Sequence, residues 1–229
     1  MSKTTWIILG IILAFSGGLI WYLVSNNNST IDYSDLDLNR PIPADERNGH
    51  IGDHVFGDPN APIIIVNYGD FQCPACSAAA PRIKAIVASY EPGQVALIHR
   101  NFPIPSLHPN ARAAAAAAEA ASFQGKFWEM HDILYQNQRS WGPANMTERD
   151  KLFNQYAEAI GLDLDQFAYD LRRPAINQRI TFDLTIARSK GVSGTPTFFI
   201  NGAQVAPQDA TTDERLRDLI DQALRAATN

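Results

Sequence analysis

Cysteine is the first residue type that this sequence has little of. Cys73 and Cys76 are the only two cysteines among 229 residues, and no second Cys-x-x-Cys pair accompanies them. Because structural zinc usually takes four Cys or His ligands, this single pair does not favour a zinc site. We therefore expect neither a metal ion nor another cofactor.

Positive charge is also scarce. The chain carries 19 Lys and Arg residues against 24 Asp and Glu residues, a formal net charge of −5, and its basic residues form no run. A nucleic-acid-binding protein needs a concentrated basic surface, so we expect no nucleic-acid partner. No internal repeat is visible, and the length and the 45% of hydrophobic residues suit one globular domain plus an additional segment.

Charged residues are absent from one long stretch near the N-terminus. Residues 6–24 are uncharged and long enough to cross a bilayer, with Trp6 and Trp21 placed as interfacial anchors. Lys3 precedes this stretch and several acidic residues follow it, so the positive-inside rule places residues 1–5 in the cytoplasm. We expect a single-pass anchor in the cell membrane, with the rest of the chain extracytoplasmic. A cleaved signal peptide is the alternative, although the end of the stretch offers no small-x-small site.

The remaining chain divides into a linker and a folded domain. The polar, proline-containing stretch 25–50 predicts a flexible linker, and we expect one domain over residues 51–229. An apolar strand at 63–68, a helix after Cys73 and a strand at 94–101 predict a β-α-β unit with parallel pairing.

The second half of the domain is mostly helical in pattern. We expect a helical region, about residues 107–190, inserted between two parts of the sheet. After it, the Asn201-Gly202 pair predicts a hairpin. Leucine and isoleucine at helical spacing predict a closing helix over 213–226.

The two cysteines lie where the apolar strand gives way to a helix. Pro74 suits the first position of that helix, and a thiol at Cys73 would face unpaired backbone N–H groups and the positive end of the helix dipole. Both features favour the thiolate, and Cys76, one helical turn on, can form a disulfide with Cys73. A low-pKa thiol with a resolving partner predicts thiol–disulfide exchange. A purely structural disulfide is the alternative, but such bridges usually close longer loops.

Several of these motifs together resemble the DsbA-like group of the thioredoxin superfamily. They are the Cys-Pro-Ala-Cys sequence after an apolar strand, Pro81 within the next helix, the helical insertion, and a Thr-Pro pair before the final hairpin and helix. The resemblance covers roughly residues 51–226 and leaves out the predicted anchor and linker. It implies an α/β, thioredoxin-like fold with a central mixed sheet and an inserted helical subdomain, preceded here by one transmembrane helix.

The resemblance also implies roles for individual residues. Cys73 would be the exposed nucleophile and Cys76 its buried partner, and the two would form a redox-active disulfide. Pro196 would be a cis-proline facing that disulfide, which would leave the backbone near Thr195 free to pair with an extended substrate segment. Thr195 would lie against the thiol and help to set its reactivity.

Two departures from the family pattern affect the expected reactivity. Pro74 and Ala75 would shape the active site, but strongly oxidising members have a histidine where this chain has Ala75. Many members also have a buried carboxylate six residues before the first cysteine, which relays protons for the second thiol, and this chain has Asn67 there. Asp70 is closer to the motif, but we expect it in the turn. Both departures predict a less extreme oxidising power.

We therefore expect a membrane-anchored, extracytoplasmic thiol–disulfide oxidoreductase that introduces disulfides into secreted or surface proteins. Its substrates would be unfolded or cysteine-containing secreted proteins, and a quinone-linked thiol oxidase in the membrane would reoxidise it. The alternatives are a disulfide reductase or isomerase, and a non-catalytic binding or chaperone module of thioredoxin-like fold. Nothing resembles an added dimerisation domain, so we expect a monomer.

Overall fold

The computed structural model of the protein describes residues 17–18, 33–47 and 49–227. Within these ranges, no helix combines the length and the apolar character needed to cross a membrane. Apart from residues 17 and 18, the predicted anchor at 6–24 lies outside them. A compact unit begins at Asp35 and contains the whole of the sheet and the helices around it.

A mixed sheet of five strands lies at the centre of the described part of the chain. The strands are β1 (His54–Phe56), β2 (Ile63–Gly69), β3 (Val95–Asn101), β4 (Thr197–Ile200) and β5 (Ala203–Gln204), in the spatial order β1-β3-β2-β4-β5. Strands β2 and β3 pair in parallel, and the other neighbours are antiparallel. Both β2 and β3 are buried along their whole length, as expected for central strands.

The helices occupy the positions that the sequence pattern predicts. Helix α1 (Pro74–Ala88) connects β2 to β3 and contains Pro81. Between β3 and β4, where every residue is described, the chain forms α2 (Ala111–Ser122), α3 (Phe127–Gln136), α4 (Gln138–Trp141), α5 (Met146–Ala159), α6 (Leu164–Asp170) and α7 (Pro174–Ser189). Helix α8 (Asp213–Ala227) follows the hairpin. The predicted α/β architecture, with a mixed sheet and an inserted helical region, is confirmed.

Two hydrophobic clusters hold this architecture together. One packs Ile63 and Ile65 of β2 against apolar residues of α1 and α8. The other joins the start of α1 to the inserted helices and includes both cysteines together with Tyr135 of α3. The cysteines therefore lie where the end of β2, the start of α1 and the helical insertion meet.

A buried ionic cluster ties the segment before β1 to the sheet and to α7. Its charged groups have no exposed side-chain area and lie 2.6–3.5 Å from their partners; they are Arg47, Arg100, Arg179, Asp53, Glu119 and Asp183. Arg100 also donates to the carbonyl oxygens of Leu38 and Arg40 at 2.7 and 3.2 Å. We expected a flexible linker up to residue 50, but this segment contacts the domain from Leu38 on, because the buried arginine needs those acceptors.

Candidate active site

The two cysteines occupy the first turn of α1. Cys73 is the N-cap residue, Pro74 is the first helical residue, and the Cys73 carbonyl oxygen accepts the first helical hydrogen bond, from the Ser77 N–H at 3.1 Å. The Nε2 of Gln138 also donates to the Cys73 carbonyl, at 2.9 Å. This contact holds the backbone of the first turn against the helical insertion, and no sequence motif pointed to Gln138.

The accessibility of the two thiols differs from the expectation in one respect. Both cysteines are free thiols in this structure, and both are buried: Cys73 is 7% exposed and Cys76 is 2% exposed. The ranking agrees with a nucleophile and a more deeply buried partner, but the expectation of an exposed Cys73 was wrong. The reason is that Thr195 covers the sulfur: its carbonyl oxygen lies 3.4 Å from Cys73 Sγ and accepts a hydrogen bond when the thiol is protonated. Pro74 and Ala75, by contrast, are exposed.

Thr195 and Pro196 reach the cysteines because of the position of β4. The Thr195–Pro196 peptide bond is cis, and the pair directly precedes β4. Strand β4 runs antiparallel to β2, so the start of β4 lies beside the end of β2, from which the chain passes to the cysteines. The structure thus brings together Cys73, Cys76, Thr195 and Pro196, as the family resemblance implies.

The environment of Cys73 favours its thiolate. A hydrogen bond from the Cys76 thiol is the largest influence and lowers the pKa of Cys73 to about 5, although burial opposes the shift. The Thr195 side chain and the backbone N–H groups of Ala75 and Cys76 add to the lowering of this pKa. The N-terminal turn of α1 therefore contributes as expected for a thiol at a helix start.

The environment of Cys76 has the opposite effect. Burial, followed by the hydrogen bond to Cys73 and by the negative charge on that residue, raises the pKa of Cys76 well above its ordinary value. At neutral pH the reduced pair is thus a Cys73 thiolate that accepts a hydrogen bond from a Cys76 thiol. This arrangement allows one sulfur to exchange with an outside disulfide while the other holds its proton.

Asp70 belongs to the turn that supports the site. Its carboxylate accepts hydrogen bonds from the backbone N–H of Gln72 at 2.7 Å and of Ile104 at 2.9 Å, and it lies 2.9 Å from Nδ1 of His108. Asp70 is 1% exposed, so these contacts fix the loop after β3 against the start of α1. Like Gln138, the loop residues carry no motif by which the sequence would reveal this role.

The two histidines near β1 do not form a metal site. His50 and His54 have the His-x3-His spacing that some zinc sites use. Nε2 of His54 instead lies 2.8 Å from the Glu119 carboxylate. Across the described ranges, no group of three or more His, Cys, Asp or Glu side chains is placed to hold a metal ion.

A Cys-x-x-Cys pair at the start of the helix after a central strand, facing a cis-proline at the start of another strand, defines the site of the thioredoxin superfamily. A sequence profile of the family described as Thioredoxin matches residues 50–222. The chain belongs to the DsbA-like thiol–disulfide oxidoreductases of this superfamily. The predicted family is confirmed, and the predicted enzyme class is that of the family.

Three solved structures illustrate the similarity. A thioredoxin-like oxidoreductase from Silicibacter pomeroyi is 27% identical, with a TM-score of 0.63, over 76% of this chain and 92% of its own. The thiol-disulfide exchange protein alpha-DsbA2 from Wolbachia pipientis is 26% identical, with a TM-score of 0.64, over 74% and 86%. Oxidised BdbD from Bacillus subtilis, at 18% identity and a TM-score of 0.66 over 81% and 99%, shares the fold.

Curated relatives with higher sequence identity are much longer proteins. The Na(+)/H(+) antiporter NhaA 3 of Salinispora tropica is 41% identical over 167 residues, which are 73% of this chain and 23% of the antiporter. The antiporter NhaA 1 of Mycolicibacterium vanbaalenii is 35% identical over 204 residues, which are 88% and 31%. The chain thus spans about a quarter to a third of the length of these relatives. Their name describes the whole antiporter, most of which lies outside the match.

Proposed function

We propose that this protein is an extracytoplasmic thiol–disulfide oxidase, held at the cell membrane by residues 6–24, whose Cys73–Cys76 pair introduces disulfides into secreted or surface proteins. Its substrates are unfolded or cysteine-containing proteins, and it acts as a monomer. The observation that carries the proposal is the unequal pair of thiols, in which contacts within α1 and from Thr195 lower the pKa of Cys73 to about 5 while burial raises the pKa of Cys76.

The oxidase reaction proceeds through a mixed disulfide. A substrate thiolate attacks the Cys73 sulfur, a substrate–Cys73 bond forms, and the Cys73–Cys76 bond breaks with its electron pair left on Cys76, which takes up a proton. A second substrate thiolate then attacks the substrate sulfur of the mixed disulfide, and Cys73 leaves as a stable thiolate. Two electrons pass from the substrate to the pair, so a quinone-linked thiol oxidase in the membrane must remove them again.

The low pKa of Cys73 supports the oxidising direction. Relative to an ordinary thiol of pKa 9.0, a pKa of about 5 stabilises the reduced form at neutral pH. Neutral pH lies about two pH units above this pKa, so ionisation of Cys73 stabilises the reduced form by about 2.7 kcal/mol. For a two-electron couple this corresponds to about 60 mV in reduction potential. Cys76 stays protonated near neutral pH and does not offset this gain. The missing histidine at Ala75 is consistent with a moderate rather than an extreme potential.

A reductase or isomerase of the same fold is the second candidate, and the reduction potential separates the two. We would equilibrate the detergent-solubilised full chain with glutathione buffers and measure the fraction of reduced pair. A potential near or above about −200 mV would support the oxidase, whereas a thioredoxin-like value of about −270 mV would favour the reductase. If the Cys73–Cys76 pair did not equilibrate with glutathione, the disulfide would be purely structural, as the binding or chaperone alternative requires.

Trapping experiments test the roles of the two cysteines. Cys76→Ser should accumulate mixed disulfides with secreted proteins, because the Cys73 thiolate can still attack their disulfides while no Cys76 thiol remains to displace the bound protein. Cys73→Ser is the matched control and should trap nothing, since the nucleophile is gone. If both variants gave the same pattern on non-reducing gels, Cys73 would not be the exchanging sulfur.

A further inference from the structure

Disulfide exchange at Cys73 depends on where its sulfur is held. The reacting sulfur atoms must line up, and a displacement of about 1 Å can cost about 100-fold in rate. On one side, the Thr195 carbonyl oxygen lies 3.4 Å from Cys73 Sγ. On the other side, a single side-chain torsion separates Sγ from the backbone, so the turn that leads into α1 sets the position of the sulfur. Groups that fix this turn therefore fix the reactive atom.

Gln138 of α4 contacts this turn at two points. Its Nε2 donates to the carbonyl oxygen of Phe71 at 2.8 Å and to that of Cys73 at 2.9 Å. A side-chain amide carries two N–H donors, so one group can serve both acceptors. Phe71 and Cys73 are 1% and 7% exposed, so water has little access to replace these donors. The Cys73 oxygen also accepts the hydrogen bond from the Ser77 N–H that begins α1.

Gln72, which lies between these two residues, makes contacts in the opposite direction. Its Nε2 donates to the Gly142 carbonyl oxygen at 2.8 Å, and its Oε1 accepts from the backbone N–H of Asn110 at 2.7 Å. The Asn110 side chain donates in turn to the carbonyl oxygens of Gly142 and Ala144, at 3.1 and 2.9 Å. The side chains of Gln72, Asn110 and Gln138 thus form an amide cluster that joins the cysteine turn to the helical insertion.

Within the amide cluster, Gln138 is the side chain that contacts the reactive cysteine itself. Its helix is fixed by Trp141, which is fully buried and donates from Nε1 to the Leu134 carbonyl oxygen at 2.7 Å. The amide of Gln138 is therefore presented to the turn by a packed element, as a precise site requires. Any shift of the helical insertion would move the Cys73 carbonyl oxygen with it.

The turn that Gln138 holds also carries the donors that stabilise the Cys73 thiolate. The backbone N–H groups of Ala75 and Cys76 lower the pKa of Cys73, together with the Cys76 thiol and the Thr195 side chain. Hydrogen bonds weaken steeply when their angle is lost, so these donors act only while the first turn of α1 keeps its orientation. Position and ionisation of the sulfur thus depend on the same piece of backbone.

We propose that Gln138 is a positioning residue for disulfide exchange. By donating to the Phe71 and Cys73 carbonyl oxygens, it holds the Cys73 sulfur beside Thr195 and links the docking of the helical insertion to the reactivity of the pair. Gln138 transfers no proton and acts on the sulfur through the backbone alone. The inference rests on the proposed disulfide exchange, because only an exchanging sulfur needs to be positioned.

A single-turnover experiment tests this role. The oxidised full chain in detergent is mixed with excess dithiothreitol between about pH 5 and pH 9, and free thiols are counted by alkylation after acid quenching. Gln138→Met keeps the length of the side chain but removes the donor, and should slow the opening of the disulfide about tenfold. In the reduced chain, alkylation of Cys73 by iodoacetamide should shift to higher pH. A loss of stability alone would not move that pH profile.

Gln124 offers a matched control within the same helical insertion. Its Nε2 donates to the Asp163 carbonyl oxygen at 3.1 Å, and its Oε1 accepts from the Asp163 N–H at 2.8 Å. Gln124→Met therefore also removes two hydrogen bonds between a glutamine side chain and the backbone, but at the junction of α2 with α6. It should leave both the opening rate and the alkylation profile of the folded protein unchanged.

An isosteric variant tests whether the donors themselves matter. Gln138→Glu has the same shape, but its ionised carboxylate cannot donate and would repel two carbonyl oxygens. Once protonated, the carboxyl group can donate one hydrogen bond again. The opening rate of Gln138→Glu, divided by that of the wild type at the same pH, should therefore be lowest at high pH and rise as the pH falls.

Each possible result has a defined meaning. If the wild-type disulfide opens but Gln138→Met matches Gln124→Met in rate and in alkylation profile, the positioning role is refuted while the proposed function stands. If the wild-type disulfide itself resists dithiothreitol, the proposed function fails. If Gln138→Met does not fold by circular dichroism, Gln138→Glu decides, since a relative rate that equals one at every pH would also refute the role.

Discussion

Replacing Cys76 by alanine should weaken the thiolate at Cys73. The largest cause of the low pKa of Cys73, which is about 5, is the hydrogen bond from the Cys76 thiol. Cys76→Ala removes that donor and leaves the Thr195 side chain and the backbone N–H groups in place. Cys76→Ser keeps an O–H donor of similar size at the same point. The two variants therefore differ mainly in the hydrogen bond to Cys73, which is the largest cause of its low pKa.

The expected shift follows from the strength of such a contact. A hydrogen bond to a charged group contributes about 1.5–3 kcal/mol, and one pKa unit corresponds to about 1.4 kcal/mol. Cys76→Ala should therefore raise the pKa of Cys73 by about one to two units, to between about 6 and 7. At about pH 6 the thiolate fraction would fall from about 90% to between about 10% and 50%. Cys76→Ser should stay within about half a unit of the wild type.

The assay is a pH titration of Cys73, by the ultraviolet absorbance of the thiolate and by the rate of alkylation with iodoacetamide. Because the chain has two cysteines, each variant retains one, and the signal belongs to Cys73 alone. Equal pKa values in the alanine and serine variants would show that the Cys76 donor does not control Cys73. A wild-type pKa near the ordinary value of 9.0 would refute the thiolate reasoning altogether.

Three further predictions concern the surroundings of the pair. Gly69→Ala should destabilise the protein by about 1–3 kcal/mol in urea unfolding, because the new Cβ would lie 2.7 Å from a buried histidine ring, and unchanged stability would contradict this packing. Arg179→Ala should lower the free energy of unfolding by about 3–5 kcal/mol because it leaves buried carboxylates unpaired. Arg188→Ala, at an exposed position of the same helix, should lower it by less than about 0.5 kcal/mol. Ala75→His should lower the pKa of Cys73 by up to about one unit and raise the reduction potential, and a lower potential would argue against the oxidase.

The predictions that succeeded from the sequence depend on neighbours along the chain. The run of apolar residues that forms β2, the proline that opens α1 and the spacing of Cys73 and Cys76 are all local, so the strand, the helix start and the reactive pair could be read from them. The Asn201-Gly202 hairpin is another example, since both residues have the positive φ that this pair favours. Thr195 and Pro196 were assigned through family resemblance, because no local rule relates them to cysteines so far back in the chain.

Contacts between distant segments could not be predicted in the same way. Asn67, His99 and Tyr135 meet at Gly69 but come from three different elements, and only the register of β2 with β3 and the packing of α3 on α1 bring them together. Arg100 interrupts an apolar strand, and its partners become apparent only when the segment before β1 folds across the sheet. The expectation of an exposed Cys73 failed for a related reason, since the carbonyl oxygen that covers it belongs to Thr195.

The sequence by itself determined that this protein has one reactive cysteine pair, at a helix start, on an α/β scaffold. Those properties follow from backbone geometry over a few residues, and the same residues would carry them in any fold that kept the strand and the helix. Only the tertiary structure decided how deeply each sulfur is buried and which distant groups contact the pair, such as the Thr195 carbonyl oxygen. Ionisation in a protein interior depends on distance, burial and neighbouring charge, and these are set by segments that are far apart in the chain.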